Sequence, residues 1–518
     1  MDAGELAHTL VARFLSHHDY RDTLAALVRE SRTRDPRLGA AVSASHDPAT
    51  TTDWNDVVED WIASRVTQDK LGDKDDELNQ RLERLALESS NRSAAAEVKS
   101  VETVVREATN VLNVARGSLP TKTWDPTSLA FKLDVRRCVF TSSVDRTLKL
   151  WSHPPRRRPR RRATLELLET HSFESPVLSF VQHPEPALKR FVACATMEGR
   201  LSILDLVTRT KPVQLRDHSK YIVTVVWSND GRFIATLGYD KLIHVYRVSI
   251  TTRAPEAEED PTISLELAHT LHPRTNPEAA VFLPDSSQLV WTARDDHLLH
   301  YLSLPTTATT RAREPSETQE NKDKAPWDMK DYNLNPNRDS FTSFSILSIS
   351  THPTLPVLSL QTSTDHARVL LYPFESDERV KTIHTGAHQS DYFHPRHRWT
   401  PDGTCVVVNS EDGVVRVCRL DGRGPVKVGC HGLAAPLDDD DDDDDAGEGD
   451  DANNKSSSSE QVKSERAKAR RERDRGSSVI RDVEVVQFDD DENDGEEQGD
   501  RAWAILTAGF DKTVRMIV

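Results

Sequence analysis

Four side chains within one short stretch of the chain could be joined by hydrogen bonds. They are His218, Thr236, Asp240 and Tyr246, in the segment LRDHSKYIVTVVWSNDGRFIATLGYDKLIHVY that runs from Leu215 to Tyr246. A carboxylate accepts from a ring N–H and from a hydroxyl, so His218, Thr236 and Asp240 can form one buried chain, with the Tyr246 hydroxyl as a further donor. Elsewhere the histidines at 384, 388, 394 and 397 have spacings that suggest a metal site. Against a metal, His388 falls in a loop that opens a strand pattern and His394 precedes Pro395 on that strand, so no metal and no cofactor is assigned. Five cysteines (138, 194, 405, 418 and 430) are scattered without a CxxC spacing and read as small buried hydrophobes in a reducing compartment. The sequence has no P-loop, no GxGxxG after a strand, no HExxH and no G-x-S-x-G. No catalytic residue is assigned, and the chain is read as not an enzyme.

The elements that must position the first four residues are three short apolar runs, Ile222–Trp227, Arg232–Leu237 and Lys241–Tyr246. The turn formers Ser228–Gly231 and Gly238–Asp240 separate them, which is the pattern of a tight antiparallel sheet. A sheet of that size cannot bury its own faces, so the pattern must recur. With the acid of the second tight turn as a ruler, it does, at Asp145, Glu198, Asp240, Asp295, Asp365, Asp412 and Asp511. The gaps between them are 53, 42, 55, 70, 47 and 99 residues, against a period of roughly 40–45 for one class of four-stranded repeat. Polar insertions account for the excess. A carboxylate that recurs once per repeat has a structural role, whereas a catalytic one would sit in a singular setting.

The stretch resembles a WD repeat: a Gly-His-like dipeptide (Asp217-His218), a strand, a turn, Ala235-Thr236, a tight turn with Asp240, and a strand ending in an aromatic. Only Trp151 keeps the family's tryptophan; Leu204, Tyr246, Tyr301, Tyr372, Cys418 and Ile517 stand near that place in the other copies. The resemblance implies a mostly β fold, a seven-bladed WD-repeat β-propeller, and a protein that binds other proteins. In that family the residue before each turn acid lies on the channel rim and meets ligands. Here those residues are Val144, Met197, Tyr239, Arg294, Thr364, Glu411 and Phe510. Aromatic, Met and Arg side chains are enriched at interface cores, so a partner footprint is expected on Val144, Met197, Tyr239 and Phe510, with Arg294 as a carboxylate clamp.

Residues 1–31 carry two apolar faces, Leu6, Leu10, Phe14 and Leu15, then Tyr20, Leu24, Leu27 and Val28. They resemble a LisH motif, with Asp19 in place of the usual Gly. The resemblance implies a helical dimerisation segment whose shared core is Leu10, Phe14, Tyr20, Leu24 and Leu27. So short a segment needs a partner surface; the other reading is a helical hairpin packed on its own propeller. Residues 32–109 are read as a linker followed by amphipathic helices, one on Val57, Val58, Trp61, Ile62 and Val66, one on Leu78, Leu82 and Leu85, and one over Val98–Arg106. The propeller is expected over 110–518, its last sheet closed by Asn110–Ala115, with SLAFKLD and RRCVFTSS as the first two strands of blade one.

The formal net charge of −17 argues against general nucleic-acid affinity, though charge is unevenly spread. Disordered insertions are expected at about 305–326, 437–478 and 489–500, the second holding eight consecutive aspartates at 438–445. Arg156–Arg162 contains six arginines and is a candidate nuclear-import signal. No apolar run is long enough to span a membrane, and the location expected is nuclear or cytoplasmic. The function expected is that of a protein-interaction scaffold that self-associates. The alternatives are a nucleic-acid or chromatin-associated, co-repressor-like factor using its Arg-rich and acidic loops, or a ubiquitin-ligase subunit. The Trp-Asp-x-Arg box of some ligase propellers is missing, since the matching places read Trp151-Ser152-His153-Pro154 and Tyr246-Arg247-Val248-Ser249.

Overall fold

The computed structural model describes residues 29, 73–91, 100–125, 130–154, 164–251, 260–305, 327–335, 337–342, 344–363, 368–390, 393–422, 424–432, 478–488 and 503–518. The chain divides into two units, Met1–Lys70 and Leu71–Val518. In the first only Arg29 is described, in helical conformation. The five expected dimerisation residues, the helix on Trp61, the arginine run and the acidic insertions all lie outside the described residues.

The second unit is seven antiparallel sheets of four strands each. Blade one is β2 (Val111–Asp125), β3 (Ala130–Ser143), β4 (Thr147–Ser152) and β5 (Leu167–Ser172); blade two is β6 (Val177–Gln182), β7 (Phe191–Thr196), β8 (Leu201–Asp205) and β9 (Thr210–Leu215). Blade three is β10 (Ile222–Trp227), β11 (Phe233–Gly238), β12 (Leu242–Thr251) and β13 (Thr262–Leu271); blade four is β14 (Pro277–Phe282), β15 (Gln288–Ala293), β16 (Leu298–Ser303) and β17 (Met329–Asn333). Blade five is β18 (Ile346–Thr351), β19 (Val357–Thr362), β20 (Arg368–Pro373) and β21 (Lys381–His384); blade six is β22 (His397–Trp399), β23 (Cys405–Val408), β24 (Val414–Arg419) and β25 (Val426–Gly429). Blade seven takes β26 (Ile480–Gln487), β27 (Trp503–Gly509) and β28 (Thr513–Ile517) from the end of the chain and β1 (Val101–Arg106) from before blade one. Each first strand touches the first strand of the next blade, and β26 touches β2, so the ring is closed around a channel. This is a seven-bladed β-propeller.

The core is distributed rather than central. Seven buried apolar clusters each span two neighbouring blades, as with Val111, Val139 and Trp151 of blade one against Val486, Leu506 and Val514 of blade seven. Only a sheet apolar on both faces can sit between two others, which is why β7, β11, β15, β19 and β20 are buried along their whole length. The helix α1 (Asp73–Asn91) adds to one of these interfaces. Its Leu78, Leu82 and Ala86 lie one turn apart and bury against Leu355 and Val357 of blade five and Trp399 and Val406 of blade six. Leu85 packs at the edge of the same cluster.

Three expectations about the start of the ring are overturned. Val98–Arg106 is not a helix: β1 pairs with β28 from Val101↔Ile517 to Arg106↔Thr513 and is the closing strand. A bulge between Thr103 and Val105 lets the adjacent Val104 and Val105 both bury. That extra residue breaks the period of two and imitates helical spacing in the sequence. Asn110–Ala115 does not close the ring; it opens β2, the inner strand of blade one. SLAFKLD and RRCVFTSS do not form two strands either: β3 is continuous over Ala130–Ser143 and pairs with β2 from Val111↔Ser143 to Asp125↔Ala130. Beyond Cys138 this hairpin has no third strand among the described residues. Its eight further residue pairs, from Ser118↔Arg137 outward, project roughly 25 Å past the sheet at about 3.3 Å per residue.

Candidate functional site

The hydrogen-bond chain that blade three can form is made. His218 Nδ1 lies 3.0 Å from Asp240 Oδ1 and its Nε2 lies 2.8 Å from Thr236 Oγ1. The Asp240 carboxylate also accepts from the Ser219 N–H at 2.8 Å. Burial raises the Asp240 carboxyl, but the hydrogen bonds from His218 and Ser219 outweigh it and hold the group below the usual carboxylate range. The Tyr246 hydroxyl donates to Asp217 Oδ2 at 3.0 Å, whereas the Trp151 indole of blade one donates to Thr141 Oγ1 at 2.8 Å. The tyrosine hydroxyl, at the far tip of its ring, thus finds its acceptor on the neighbouring loop.

Blade seven builds the same unit from residues far apart in sequence. His431 Nδ1 lies 2.9 Å from Asp511 Oδ1, and its Nε2 lies 2.7 Å from Thr507 Oγ1. In both blades a glycine makes room: a Cβ on Gly238 would meet His218 Nδ1 at 2.2 Å, and one on Gly509 would meet His431 Nδ1 at 2.3 Å. The sequences Thr236-Leu-Gly-Tyr-Asp240 and Thr507-Ala-Gly-Phe-Asp511 share this signature, and it could have pointed to His431. These networks fix the turn between the second and third strands of blades three and seven; that turn lies on one end of the ring, called here the upper face.

Residues before the turn acids take different places on that face. Val144 and Met197 are 46% and 56% exposed, and Phe510 is half-buried. The Glu411 carboxylate accepts from the Ser390 N–H at 2.9 Å and the Ser390 hydroxyl at 2.7 Å. Thr364 and Asp365 lie outside the described residues. Tyr239 and Arg294 are not free: both donate to Glu278, the hydroxyl at 2.9 Å and the guanidinium Nε at 2.6 Å. Arg294 therefore holds an internal carboxylate and is not an open clamp for a ligand. The Tyr221 and Tyr239 rings lie 4.4 Å apart, so blades three and four present an aromatic pair over a buried ion pair.

Glu278 points there because of a repeated irregularity. In six blades the inner strand carries a bulge at its second residue, at Leu112, Leu178, Val223, Glu278, Leu347 and Arg481. Bulges re-aim a side chain. Four of the six are apolar, three leucines and Val223, and only blades four and seven put a charged residue there, Glu278 and Arg481. Across the channel, Arg396 just ahead of β22 and Arg481 on β26 make no side-chain hydrogen bond or ion pair among the described residues. Burial, then Arg396, brings Arg481 down to about 10, and burial lowers Arg396 as well. His394 is driven down to about 3 by burial and by Arg481, Arg396 and Arg294. Cations that disfavour each other's charge in a recess mark a site with electrostatic demand for an anion.

The four histidines of the possible metal site are dispersed: His384 and His388 are exposed on separate elements, His394 is half-buried at the channel and His397 is buried. His397 Nε2 lies 2.7 Å from Ser359 Oγ. Among the described residues no group of three or more His, Cys, Asp or Glu is arranged to hold a metal ion. All five cysteines are free thiols. Burial pushes Cys138, Cys194, Cys418 and Cys430 up to about 12, so they are unreactive packing groups.

The WD40 family (WD domain, G-beta repeat) matches this chain over residues 210–247, which runs from the outer strand β9 of blade two through β10 and β11 into β12 of blade three. No curated protein matches the chain. The chain thus has one stretch matched by the WD40 family within a ring of seven four-stranded blades, and WD40 propellers are generally protein-interaction scaffolds and typically non-catalytic. Among the described residues no helix is long and apolar enough to cross a membrane.

Proposed function

We propose that this chain is a non-catalytic scaffold that takes an acidic segment of a partner protein at the upper mouth of its channel. The observation that carries this reading is the pair Arg396 and Arg481, half-buried and mutually repelling, with Asp482 nearby but with no side-chain hydrogen bond or ion pair to a carboxylate among the described residues. Arg guanidinium groups bind carboxylates in a fork geometry, and a recessed pair gains more from an anion than surface lysines do. Exposed Met197 and Val144, with Phe510 and the Tyr221–Tyr239 pair, supply adaptable apolar surface around that recess. The footprint runs over blades seven through three.

The same reading has the chain self-associate through Leu10, Phe14, Tyr20, Leu24 and Leu27, supported by the spacing of their apolar faces. Sedimentation of the full chain beside one lacking residues 1–52 separates a dimer from a helical hairpin packed on its own ring. It is also a reading of an intracellular protein, nuclear or cytoplasmic, with Arg156–Arg162 as the import candidate. The test of the site is quantitative capture with wild type, Arg396→Gln/Arg481→Gln and Phe510→Ala. Partners bound by wild type should weaken by at least ~1 kcal/mol in each variant at unchanged melting temperature. Equal capture by all three proteins sinks the upper mouth as the site.

A further inference from the structure

The hairpin that β2 and β3 extend past blade one shows its two strands unequally to solvent. On β2, Leu119 and Pro120 are buried and Ser118 and Thr121 half-buried, whereas all five residues of β3 from Leu133 to Arg137 are exposed. The ties to the ring also come from β2. The Ser118 N–H donates to Gln182 Oε1 at 3.0 Å, Gln182 Nε2 donates to the Ser118 carbonyl at 2.6 Å, and Lys122 Nζ donates to Asp260 Oδ1 at 2.5 Å. β2 therefore fastens the hairpin to blades two and three, and β3 is its outward strand.

β4 stops at Ser152, opposite Cys138, so no described strand covers the edge of β3 from Arg137 outward. An open edge offers a row of backbone N–H and carbonyl groups to another strand, and proline blunts such an edge. The proline of this hairpin, Pro120, is on β2; β3 has neither proline nor glycine from Ala130 to Ser143. Leu133 and Val135, 40% and 45% exposed, share one face of β3, and Asp134 and Arg136 share the other. Charges on an edge repel most strands, but here they fit a second copy of the same strand. Residues opposed across an antiparallel pair share a face, and faces alternate along a strand, so a two-fold axis between two such edges passes through a residue. From Lys132 to Arg137, only Leu133 and Val135 can lie on that axis without setting a charge against itself. About Val135, Asp134 faces Arg136 of the second copy, twice; about Leu133 it faces Lys132, twice. Within one copy Arg136 Nε lies 3.4 Å from Asp134 Oδ2 with both side chains exposed. Such a surface pair contributes little and leaves both groups able to reach across the axis.

We propose that the open edge of β3 pairs antiparallel with the same edge of a second copy of this chain, about a two-fold axis at Leu133 or Val135 that sets Asp134 opposite a basic residue. The test is trapping of full-length Val135→Cys and Leu133→Cys with a short thiol-reactive cross-linker. The wild-type chain, whose five cysteines are buried or half-buried, is the blank. The residue on the axis meets itself, whereas the other is displaced by four positions, about 13 Å at ~3.3 Å per residue. A cross-linked dimer from one variant and not the other supports the pairing and locates the axis. Adding Asp134→Arg to the trapping variant should cut the yield at least about tenfold, because like charges then oppose each other. Mixing that protein with a trapping variant that carries Arg136→Asp (axis at Val135) or Lys132→Asp (axis at Leu133) should restore the cross-link between the two. No recovery on mixing would confine these charges to a role within one chain and overturn the proposal. No dimer from either cysteine, equal yields from both, or linkage to a foreign protein in a cell extract would overturn it too. Thermal melting of each variant guards against loss by unfolding. Trapping should persist in Phe14→Ala, since the edge shares no residue with 1–31, so this proposal and the N-terminal dimer stand or fall separately.

Discussion

Blades three and seven make the same hydrogen-bonded unit by different routes through the chain. In blade three, His218 and Asp240 are 22 residues apart; in blade seven, His431 and Asp511 are 80 apart. The ring-to-carboxylate distances are 3.0 and 2.9 Å, the ring-to-threonine distances 2.8 and 2.7 Å. Both turns place a lysine at a φ of 64°, Lys241 and Lys512. Long inserted loops therefore leave the geometry of the unit untouched. The entropy of a longer loop grows only with the logarithm of its length, and the local constellation of Thr, Gly, aromatic and Asp is strong enough to set the turn. What differs is the outer edge. Blade three takes all four strands from one continuous stretch, whereas blade seven needs β1 from the other end of the propeller sequence.

The largest effect should come from that edge. A protein beginning at Ala108 lacks β1 and exposes the whole edge of β28, whose backbone groups are otherwise paired from Val101 to Arg106. It also uncovers the cluster around Val104, Val105 and Val514. Relative to a protein beginning at Ser100, it should be insoluble or melt at least ~10 °C lower, as expected from a loss of several kcal/mol. Similar melting curves for the two would mean that blade seven is stable with three strands, and that its dependence on closure has been overstated.

A smaller effect tests the equivalence itself. His218→Ala and His431→Ala each remove two hydrogen bonds and leave a buried threonine hydroxyl and a carboxylate without their partner. Each should cost about 2–4 kcal/mol, and the two costs should agree within ~1 kcal/mol by urea denaturation. A markedly cheaper loss at His431 would show that the insertions do loosen blade seven despite its matching distances.

Much of this was legible in the sequence, and what was not has physical reasons. The seven turn acids marked seven sheets because each tight turn demands the same chemistry within a few residues. The helix on Leu78, Leu82 and Leu85 showed in its spacing, although the blades it packs on did not. The closing strand was misread because the bulge in β1 gave Val101 and Val105 a helical interval. His431 was overlooked because the insertions carry it far from its carboxylate, although Gly509 and Asp511 repeat the signature of blade three. Glu278 was invisible as the partner of Tyr239 and Arg294, since only the ring brings the bulge of blade four against the turn of blade three.

The smallest effect concerns acid. In both blades the turn carboxylate is held below its usual range: burial raises Asp240 and Asp511, but the hydrogen bonds from His218 and His431 lead the groups that outweigh it. A carboxyl whose folded value is depressed stabilises the fold above its unfolded value of about 3.9, and that contribution is lost as pH falls through the folded value. At pH 7, Asp240→Asn and Asp511→Asn should each lose about 1–2 kcal/mol, since an amide still accepts a hydrogen bond but carries no charge. The deficit should shrink as pH drops below about 4, where the wild-type carboxylates take up protons. The double variant should therefore show a flatter acid limb than wild type, with the two single variants contributing equally. A double variant whose stability falls with acid as steeply as wild type would place the acid sensitivity in other carboxylates, among them the Asp412–Arg416 pair at 2.6 Å. Unequal single variants would break the parallel between the blades at the one group whose charge both of them use.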